Sequence, residues 1–249
     1  MNVIKYHHYN PPGVRRVLAS GTSAFIGEVD GKTILKYPLE RGGDLSSLEH
    51  EHRLLQIVGP HQRSISIAKQ GLTGDRLYLE RASEGSLLDV INDSSNMKSV
   101  SLDTRLAWCL ELVEAVAYVH SKNVIHCDIN PAKVLLDNQL HIKLADFQGC
   151  HVADDGEYLM RALGAEPCRY FCPRNDDVDG TQTTDIFALG STIHFIMTGE
   201  EPFSDIVAGA RGWDDRYESA NEVWRVVERI EKLTVDGVAV HFEGKHSRF

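Results

Sequence analysis

The stretch VIHCDINPAKVLLDNQLHIKLADFQGC, residues 124–150, is the part of the sequence that decides the fold. Two of its three aspartates, Asp128 and Asp146, each lie next to a run rich in leucine and β-branched residues. Between them, KVLLDNQLHIKLA is typical of two short strands joined by a turn at Asp137-Asn138. The aspartates therefore lie 18 positions apart (146 minus 128), on either side of a predicted hairpin. Taken alone, each is most simply explained as the polar end of a strand.

The overall composition is that of an ordinary globular protein. The chain has 249 residues, of which 42% are hydrophobic and 25% charged, enough to bury a large core in one domain or in one domain of two lobes. Its net charge of -10 disfavours a nucleic-acid partner, because binding without sequence specificity needs an excess of lysine and arginine. Its five cysteines, an odd number, indicate a reducing compartment.

The apolar runs indicate neither secretion nor a membrane span. The opening MNVIKYHHYNPPGVRR contains no uninterrupted apolar core of signal-peptide length. The longest apolar run, residues 186–197, has about twelve residues and carries Ser191, Thr192 and His194, so it is too short and too polar to cross a bilayer. We therefore expect a cytoplasmic or nuclear protein that is not secreted and has no membrane partner.

The first third of the chain is predicted to form five strands and one helix. RRVLAS, AFIGEV and TILKYP are β-rich runs separated by Gly21 and by the turn dipeptide Asp30-Gly31. GDLSSLEHEHRLLQIVG then changes to helical spacing, and Gly59-Pro60 ends it. SISIAKQG and RLYLER predict two further strands around the turn Gly74-Asp75.

The remainder of the chain is predicted to be mostly helical. SLDTRLAWCLELVEAVAYVHSKN has the spacing of a long buried helix. Its predicted apolar face consists of Leu106, Cys109, Leu110, Val113, Val116, Ala117 and His120. Strands followed by helices predict an α+β chain in two lobes.

Together these residues resemble the catalytic core of protein kinases. His126-Cys127-Asp128 followed by Asp146-Phe147-Gln148 is similar to the family signature H-R-D-x-x-x-x-N followed by D-F-G. Downstream, TTDIFALGSTIHFIMTGEEPF is similar to the D-x-W-x-x-G helix, with Asp185 and Gly190 in the expected places. The resemblance covers about residues 14–204 and is closest to small, divergent, fungal-type kinase-like proteins. It implies that Asp185 bonds to the catalytic-loop backbone near His126.

The resemblance implies a bilobal protein-kinase-like fold within a single domain, residues 1–249. The N-lobe, residues 14–81, would be a five-stranded antiparallel sheet with one helix. The C-lobe, residues 82–249, would be mostly helical and shortened, because only 46 residues follow Phe203 (249 minus 203).

The resemblance also implies a set of catalytic residues that act on ATP and Mg²⁺. Asp128 would orient the attacking hydroxyl, and Asp146 would bind the metal. Lys36, in TILKYP, would pair with the α- and β-phosphates. Glu51 matches the glutamate of the family's helix C, with Glu49 as the competing choice.

A second set of residues would form the nucleotide pocket. Gly21 occupies the middle glycine position of the glycine-rich loop when the chain is aligned on Ile26, and Ile34 stands where the family has an alanine in contact with adenine. Leu79 would be the gatekeeper, residues 80–82 would offer backbone groups to the adenine, and Leu135 would lie beneath it. The predicted nucleotide-binding residues are Gly21, Ile26, Ile34, Lys36, Leu79, Glu80, Ala82 and Leu135.

Two residues depart from the family pattern inside the catalytic loop. Lys133 stands where the family has the asparagine that binds a second Mg²⁺, and a cation repels a divalent ion there. Asn130 stands where the family has a lysine that contacts the γ-phosphate. Either Lys133 bridges Asp128 and the phosphates and leaves a slow single-metal enzyme, or it forms a salt bridge with Asp146 and closes the metal site.

Three further departures affect the segment that follows. Cys127 replaces the arginine that contacts an activation-loop phosphate in many kinases, and residues 149–173 contain neither serine nor threonine. Gln148 replaces the D-F-G glycine, although Gly149 follows it. Arg174 replaces a glutamate that pairs with an arginine late in the C-lobe of the family.

The resemblance favours an ATP-dependent serine/threonine protein kinase with weak activity, which transfers the γ-phosphoryl group to a protein hydroxyl. One alternative is a catalytically impaired pseudokinase that binds nucleotide or serves as a scaffold. Another is a small-molecule phosphotransferase, which the Asp185 helix disfavours. We also expect a protein partner at the shortened C-lobe.

Overall fold

The N-terminal part of the protein is a five-stranded sheet with one helix packed against it. The structure is a computed structural model that describes residues 9–93, 100–174 and 179–203. The first elements are β1 (Arg16–Ser20), β2 (Ala24–Glu28), β3 (Thr33–Pro38), α1 (Ser46–Val58), β4 (Ile67–Thr73) and β5 (Arg76–Glu80). The strands are antiparallel, in the order β1-β2-β3-β5-β4. The predicted five strands and single helix are confirmed.

Strand β3 is buried on both faces, which explains its largely apolar sequence. Leu35 and Tyr37 point to one face, where they pack with Phe25. Ile34 points to the opposite face and packs into the main core under α1. Because side chains alternate along a strand, Lys36 shares the face of Ile34 and is directed towards α1.

Helix α1 presents its apolar stripe to this face of the sheet. Leu48, Leu55 and Val58 are buried and recur at helical spacing. Glu51 lies on the same stripe and is only 1% exposed. A buried carboxylate on an apolar stripe requires a cation opposite it.

The second part of the chain combines helices with short strands. Its elements are α2 (Leu87–Asn92), α3 (Leu102–His120), β6 (Val124–Ile125), β7 (Val134–Leu136), β8 (Ile142–Leu144), β9 (Cys150–Val152), β10 (Tyr158–Met160) and α4 (Gln182–Thr198). Strands β7 and β8 form the predicted hairpin, and β10, β9 and β6 form a three-stranded sheet. Helix α4 begins after a capping box between Thr181 and Thr184 and ends at Gly199, which has φ 77°.

The predicted apolar face of α3 is only partly right, since Cys109 and Val116 are buried as expected but other members are not. Leu106 and Leu110 are 45% and 66% exposed, whereas Trp108 and Leu112 are buried. The Trp108 indole N–H donates to the carbonyl oxygen of Leu140 at 2.8 Å, which turns this face towards the β7–β8 hairpin. Apolar residues occur almost all around this helix, so periodicity alone could not select the buried face.

The β7–β8 hairpin, which lies between Asp128 and Asp146, is hydrogen-bonded through both of its strands to earlier parts of the chain. The amide of Leu136 donates to the carbonyl of Gly85 at 2.9 Å, just after β5. The amide of Leu144 donates to the carbonyl of Arg63 at 2.8 Å, just after α1. These bonds attach both strands of the hairpin to the segments that follow β5 and α1.

The α+β kinase-like architecture is confirmed for the described residues. The predicted shortening of the C-lobe concerns residues 204–249, which lie outside them. The division into lobes at residues 81 and 82 stays a prediction. No helix among the described residues is both long enough and apolar enough to cross a bilayer.

Gly149 is required because the chain passes very close to β6 at this point. A Cβ atom there would lie 1.9 Å from the carbonyl oxygen of Ile125 and 2.5 Å from that of His126. Gly149→Ala should therefore lower the free energy of unfolding by about 3 kcal/mol or more, because backbone atoms cannot move aside as a side chain can.

Urea denaturation checks this expectation. Gly31→Ala is the matched control, because a Cβ atom at Gly31 meets nothing within 4 Å. It should change the free energy of unfolding by less than about 0.5 kcal/mol. Equal stability of the two variants would contradict the close approach at Gly149.

Candidate active site

Lys36 is the centre of a buried charge cluster between β3, α1 and the end of β8. Its Nζ lies 2.7 and 2.8 Å from the two carboxylate oxygens of Glu51. The same Nζ donates to Oδ1 of Asp146 at 2.7 Å. Lys36 is 7% exposed, so these contacts replace most of its hydration.

The cluster keeps Lys36 charged. Burial alone would lower the pKa of its ammonium group, but the carboxylates of Glu51 and Asp146 outweigh burial and raise the pKa above its usual range. A permanent positive charge at this position can bind phosphate oxygens. The competing residue, Glu49, is exposed on the other side of α1.

Asp146 is held between two ammonium groups. Lys36 bonds to its Oδ1, and the Nζ of Lys133 bonds to its Oδ2. Burial would raise the pKa of this carboxyl, but Lys36 and Lys133 together hold it well below its usual range. The backbone of Asp146 has φ 68°, a left-handed conformation that directs the chain into the Phe147 turn.

Asp128 faces the same point from the catalytic loop. Its Oδ1 accepts from the Asn130 amide at 2.7 Å, and its Oδ2 lies 3.4 Å from the Nζ of Lys133. Burial raises the pKa of Asp128 to about 7, although the Lys133 ammonium lowers it. A carboxyl with a pKa near neutrality is suited to accept a proton from a hydroxyl.

Asn130 positions the loop as well as Asp128. Its side-chain oxygen accepts from the amide of Ala132 at 3.0 Å and so caps the 3-10 turn Pro131–Lys133. This turn places Lys133 one step before β7, from where its side chain reaches Asp128 and Asp146. Lys133 thus forms the salt bridge with Asp146 that one interpretation of this replacement required, and also the contact with Asp128 that the other required. Its effect on a metal ion or on phosphates stays a prediction.

Asp185 holds the catalytic loop from below. It is completely buried, and its two oxygens accept the backbone N–H groups of His126 at 2.7 Å and of Cys127 at 2.9 Å. The ring of His120 contacts it at 2.9 Å. The expected bond between Asp185 and the loop near His126 is confirmed. The bond from the Cys127 N–H to Asp185 stabilises the left-handed backbone of Cys127, which has φ 59°.

Two contacts that the sequence did not reveal join α1 to the residues after Phe147. The side-chain amide of Gln148 donates to the carbonyl of Ser47 at 3.1 Å. The Nε2 of His50 lies 2.7 Å from the carbonyl oxygen of Gly149. Both contacts support the position of Glu51. They join residues about 100 positions apart, and no local spacing predicts them.

The predicted pocket residues lie at the inner surface of the sheet and beneath it. Ile26 pairs with Lys36 in the sheet, and Ile34 pairs with Leu79, which is 1% exposed. Leu135, on β7, forms a bridge to Ser86 below this surface. Their contacts with a nucleotide stay predictions.

The remaining pocket residues lie at the two ends of this surface. Gly21 forms the turn between β1 and β2, where its amide donates to the carbonyl of Ala24 at 2.8 Å. Glu80, next to the half-buried Ala82, contacts Lys143 at 2.8 Å through its carboxylate. Its backbone N–H donates to the carbonyl of Ser66 at 2.8 Å, so only its backbone carbonyl can make the predicted adenine contact.

The arrangement of these side chains does not fit a magnesium ion. Both carboxylate oxygens of Asp146 already bond to ammonium groups. Position 133, from which the family supplies a second metal ligand, carries a cation. A divalent ion prefers carboxylate, carbonyl and water oxygens, and two ammonium groups beside Asp146 repel it.

The charge cluster yields a prediction on stability. Lys36→Met should lower the free energy of unfolding by about 3–5 kcal/mol, because it leaves Glu51 buried without a counter-charge. The double variant Lys36→Met/Glu51→Gln removes both charges and should recover most of this loss. Urea denaturation of both variants measures the effect, and a double variant no more stable than the single one would contradict the pairing.

Comparisons with known proteins agree with this geometry. A family model described as the protein kinase domain matches residues 30–234. CBL-interacting protein kinase 24 of Oryza sativa subsp. japonica is 26% identical over 190 residues, 75% of this chain and 40% of that protein. Serine/threonine-protein kinase SIK2 of Gallus gallus is 30% identical over 167 residues, 64% of this chain and 20% of that protein.

A third relative extends over more of the chain. The phosphorylase b kinase gamma catalytic chain, liver/testis isoform, of Bos taurus is 25% identical over 252 residues, 92% of this chain and 61% of that protein. The chain thus spans less than two thirds of the length of each of these relatives. The family model covers most of the chain, including the Lys36 cluster, the catalytic loop and α4. The chain belongs to the protein kinase domain family.

Proposed function

We propose that this protein binds ATP beneath β1–β3 and slowly transfers its γ-phosphoryl group to a serine or threonine hydroxyl of a protein substrate. The observation that carries the proposal is the convergence of Lys36, Asp128 and Asp146. Lys36 contacts Asp146 at 2.7 Å, and Lys133 lies between Asp146 and Asp128. Phosphoryl transfer requires chiefly this combination of positioning and charge compensation.

Each charged side chain has one task in the proposed reaction. Lys36 binds the α- and β-phosphates and is kept in place by Glu51. Asp128 orients the substrate hydroxyl and accepts its proton, and Asn130 fixes the orientation of the carboxylate. Lys133, 3.4 Å from Asp128, supplies only part of the positive charge that a metal ion on Asp146 would supply, which keeps the transfer slow.

The choice of nucleotide and acceptor rests on the family. Protein kinases generally use ATP with Mg²⁺, and some relatives are named serine/threonine kinases. Because two ammonium groups occupy Asp146, we assign no step to magnesium, and the transfer proposed here is slow for this reason. The net charge of -10 favours a protein partner over a nucleic acid.

A pseudokinase is the second candidate, and one observation favours it. The salt bridge between Lys133 and Asp146 closes the carboxylate that the family uses for the metal. In that case the cleft binds nucleotide, or serves as a scaffold, without transferring phosphate. A partner at the C-terminal residues 204–249 belongs to this proposal as well.

A phosphate-transfer assay decides between the two candidates. With radiolabelled ATP, Mg²⁺ and dephosphorylated casein, the wild type should transfer phosphate, and Asp128→Ala should reduce the rate by at least about 100-fold. Below pH 7 Asp128 is protonated and cannot accept the hydroxyl proton, so the rate should rise up to about tenfold per pH unit and level off above the pKa of about 7.

Thermal stabilisation by ATP is the accompanying control. Asp128→Ala should be stabilised by ATP as much as the wild type, because Lys36 and the pocket are unchanged. ATP binding without transfer in the wild type would favour the pseudokinase. No stabilisation of either protein would end the kinase proposal and leave only a scaffold that does not bind nucleotide.

Lys133 generates a second prediction. Lys133→Asn removes the ammonium group from Asp146 and supplies an amide oxygen in its place, so transfer should rise about tenfold and become strictly dependent on Mg²⁺. The double variant Asn130→Lys/Lys133→Asn restores the family arrangement and should exceed the single variant. The measurement is the initial rate of transfer with and without EDTA.

The matched control is Lys122→Asn, a substitution of the same kind at an exposed lysine outside the cleft. It should leave the rate unchanged. A lower rate in Lys133→Asn than in the wild type would contradict the closed metal site, because it would make Lys133 the cation on which transfer depends.

A further inference from the structure

Two cysteine thiols, Cys127 and Cys150, lie in contact beside the catalytic loop. Cys127 is the residue before Asp128, and its Sγ lies 3.9 Å from the Sγ of Cys150 on β9. The two residues are 2% and 0% exposed. The pairing of β6 with β9, in which Ile125 lies opposite Cys150, brings the two segments together. Two sulfur atoms at this separation are close enough to be joined by a disulfide after a small movement.

The residues around this thiol pair leave room for a bond between the sulfur atoms. A Cβ atom at Gly180 would lie 2.3 Å from the Sγ of Cys127 and 3.7 Å from the Sγ of Cys150, so only glycine at this position leaves both thiols free to pack together. Cys127 stands where the kinase family has an arginine. A thiol cannot bind the phosphate that this arginine contacts, so the family supplies no role for the thiol pair.

The two thiols differ in chemical character. A hydrogen bond in which the Cys127 thiol donates to the Cys150 sulfur lowers the pKa of Cys150 and raises that of Cys127. Since the thiolate is the nucleophilic form, Cys150 is the thiol that attacks an oxidant. Cys127 is then the thiol that resolves the oxidised product.

The residues that cover the thiol pair are not fully buried. Val152, Tyr158 and Ala162 pack against it, and each of them is half-buried. A brief local opening of β9 and β10 therefore admits a molecule as small as hydrogen peroxide. Disulfides formed in a reducing compartment are usually transient, which agrees with a bond that forms only on oxidation.

We propose that Cys127 and Cys150 are a redox modification site, which hydrogen peroxide converts to a reversible disulfide, and that this bond slows phosphate transfer by displacing Asp128. The effect on the rate rests on the proposed kinase function. The formation of the disulfide does not depend on that function, so the two parts can be tested separately.

The oxidation takes place in two steps. The Cys150 thiolate attacks one oxygen of hydrogen peroxide, so that an S–O bond forms, the O–O bond breaks and hydroxide leaves as water with the proton of the thiol. The Cys127 sulfur then attacks the sulfenic acid, so that the S–S bond forms, the S–O bond breaks and a second water leaves. Two thiols lose two electrons, which reduce one peroxide to two waters. A dithiol reductant reverses the reaction by thiol–disulfide exchange.

The disulfide acts on Asp128 through the backbone. It brings the two sulfur atoms about 2 Å closer than their present separation of 3.9 Å. The N–H of Cys127 is held by Asp185 at 2.9 Å, so a movement of the Cys127 side chain turns the peptide group that leads to Asp128. Misplacement of a catalytic group by about 1 Å can lower a rate by about 100-fold.

Peptide mapping tests the disulfide. Trypsin leaves each of the five cysteines on a separate peptide, with Cys127 on residues 123–133 and Cys150 on residues 144–161. The wild type is treated with hydrogen peroxide, alkylated in denaturant and digested without reductant. Mass spectrometry should then find these two peptides linked as the main product, and dithiothreitol should release them.

Initial rates test the effect on catalysis. After removal of the peroxide by catalase, the oxidised wild type should phosphorylate casein at least about tenfold more slowly with an unchanged KM for ATP, and dithiothreitol should restore the rate. Cys150→Ser cannot form the bond and should keep its rate after the same treatment. The matched control is Cys109→Ser, which removes a buried thiol on α3 and should lose its rate as the wild type does.

Three results would overturn the inference. The first is a wild type in which the two peptides stay unlinked or a different pair of cysteines is joined. The second is a linked protein that is as fast as the reduced one, and the third is loss of rate in oxidised Cys150→Ser. If Cys150→Ser fails to fold, the mapping of the wild type and its recovery with dithiothreitol still decide. A reduced wild type that transfers no phosphate would end the proposed function and the effect on the rate, while the mapping would still show whether the disulfide forms.

Discussion

The compensation of buried charge around Lys36 is the constraint on which the rest of this structure depends. One ammonium group, 7% exposed, bonds to Glu51 on α1 and to Asp146 at the end of the β7–β8 hairpin. Because an unpaired charge in this position would be very unfavourable, α1, β3 and the hairpin must come together as a unit. The predicted nucleotide pocket lies beside this point.

The same rule accounts for the residues that depart from the family pattern. Lys133 bonds to Asp146 and lies beside Asp128, so the catalytic loop is electrostatically satisfied even before a nucleotide binds. Arg174 finds Glu166 eight positions earlier in its own segment. Compared with the family pattern, Lys133 and Arg174 carry their charges at different positions of the sequence. Each of these charges is nevertheless paired with a carboxylate. This pairing explains how a kinase fold can persist with two ammonium groups bonded to the carboxylate of Asp146.

Much of the architecture could be predicted from local pattern. The β-rich run TILKYP and the turn at Asp30-Gly31 predicted strands. The stripe of Leu48, Leu55 and Val58 predicted α1. Burial of one face imposes a period of two residues on a strand and of 3.6 residues on a helix. The α3 face, which was predicted only in part, shows the limit of this signal. That helix is apolar on nearly every side, and the bond of Trp108 to Leu140 selects the buried face.

The sequence by itself determined the order of strands and helices, and placed Lys36, Glu51, Asp128, Asp146 and Asp185 in positions that resemble a kinase core. Only the tertiary structure showed that Lys133 contacts both Asp146 and Asp128, and it alone revealed the pairing of Arg174 with Glu166. Local spacing reports which side of an element is buried. It cannot report which charges meet across irregular loops, since that depends on distances set by the packing of the whole chain.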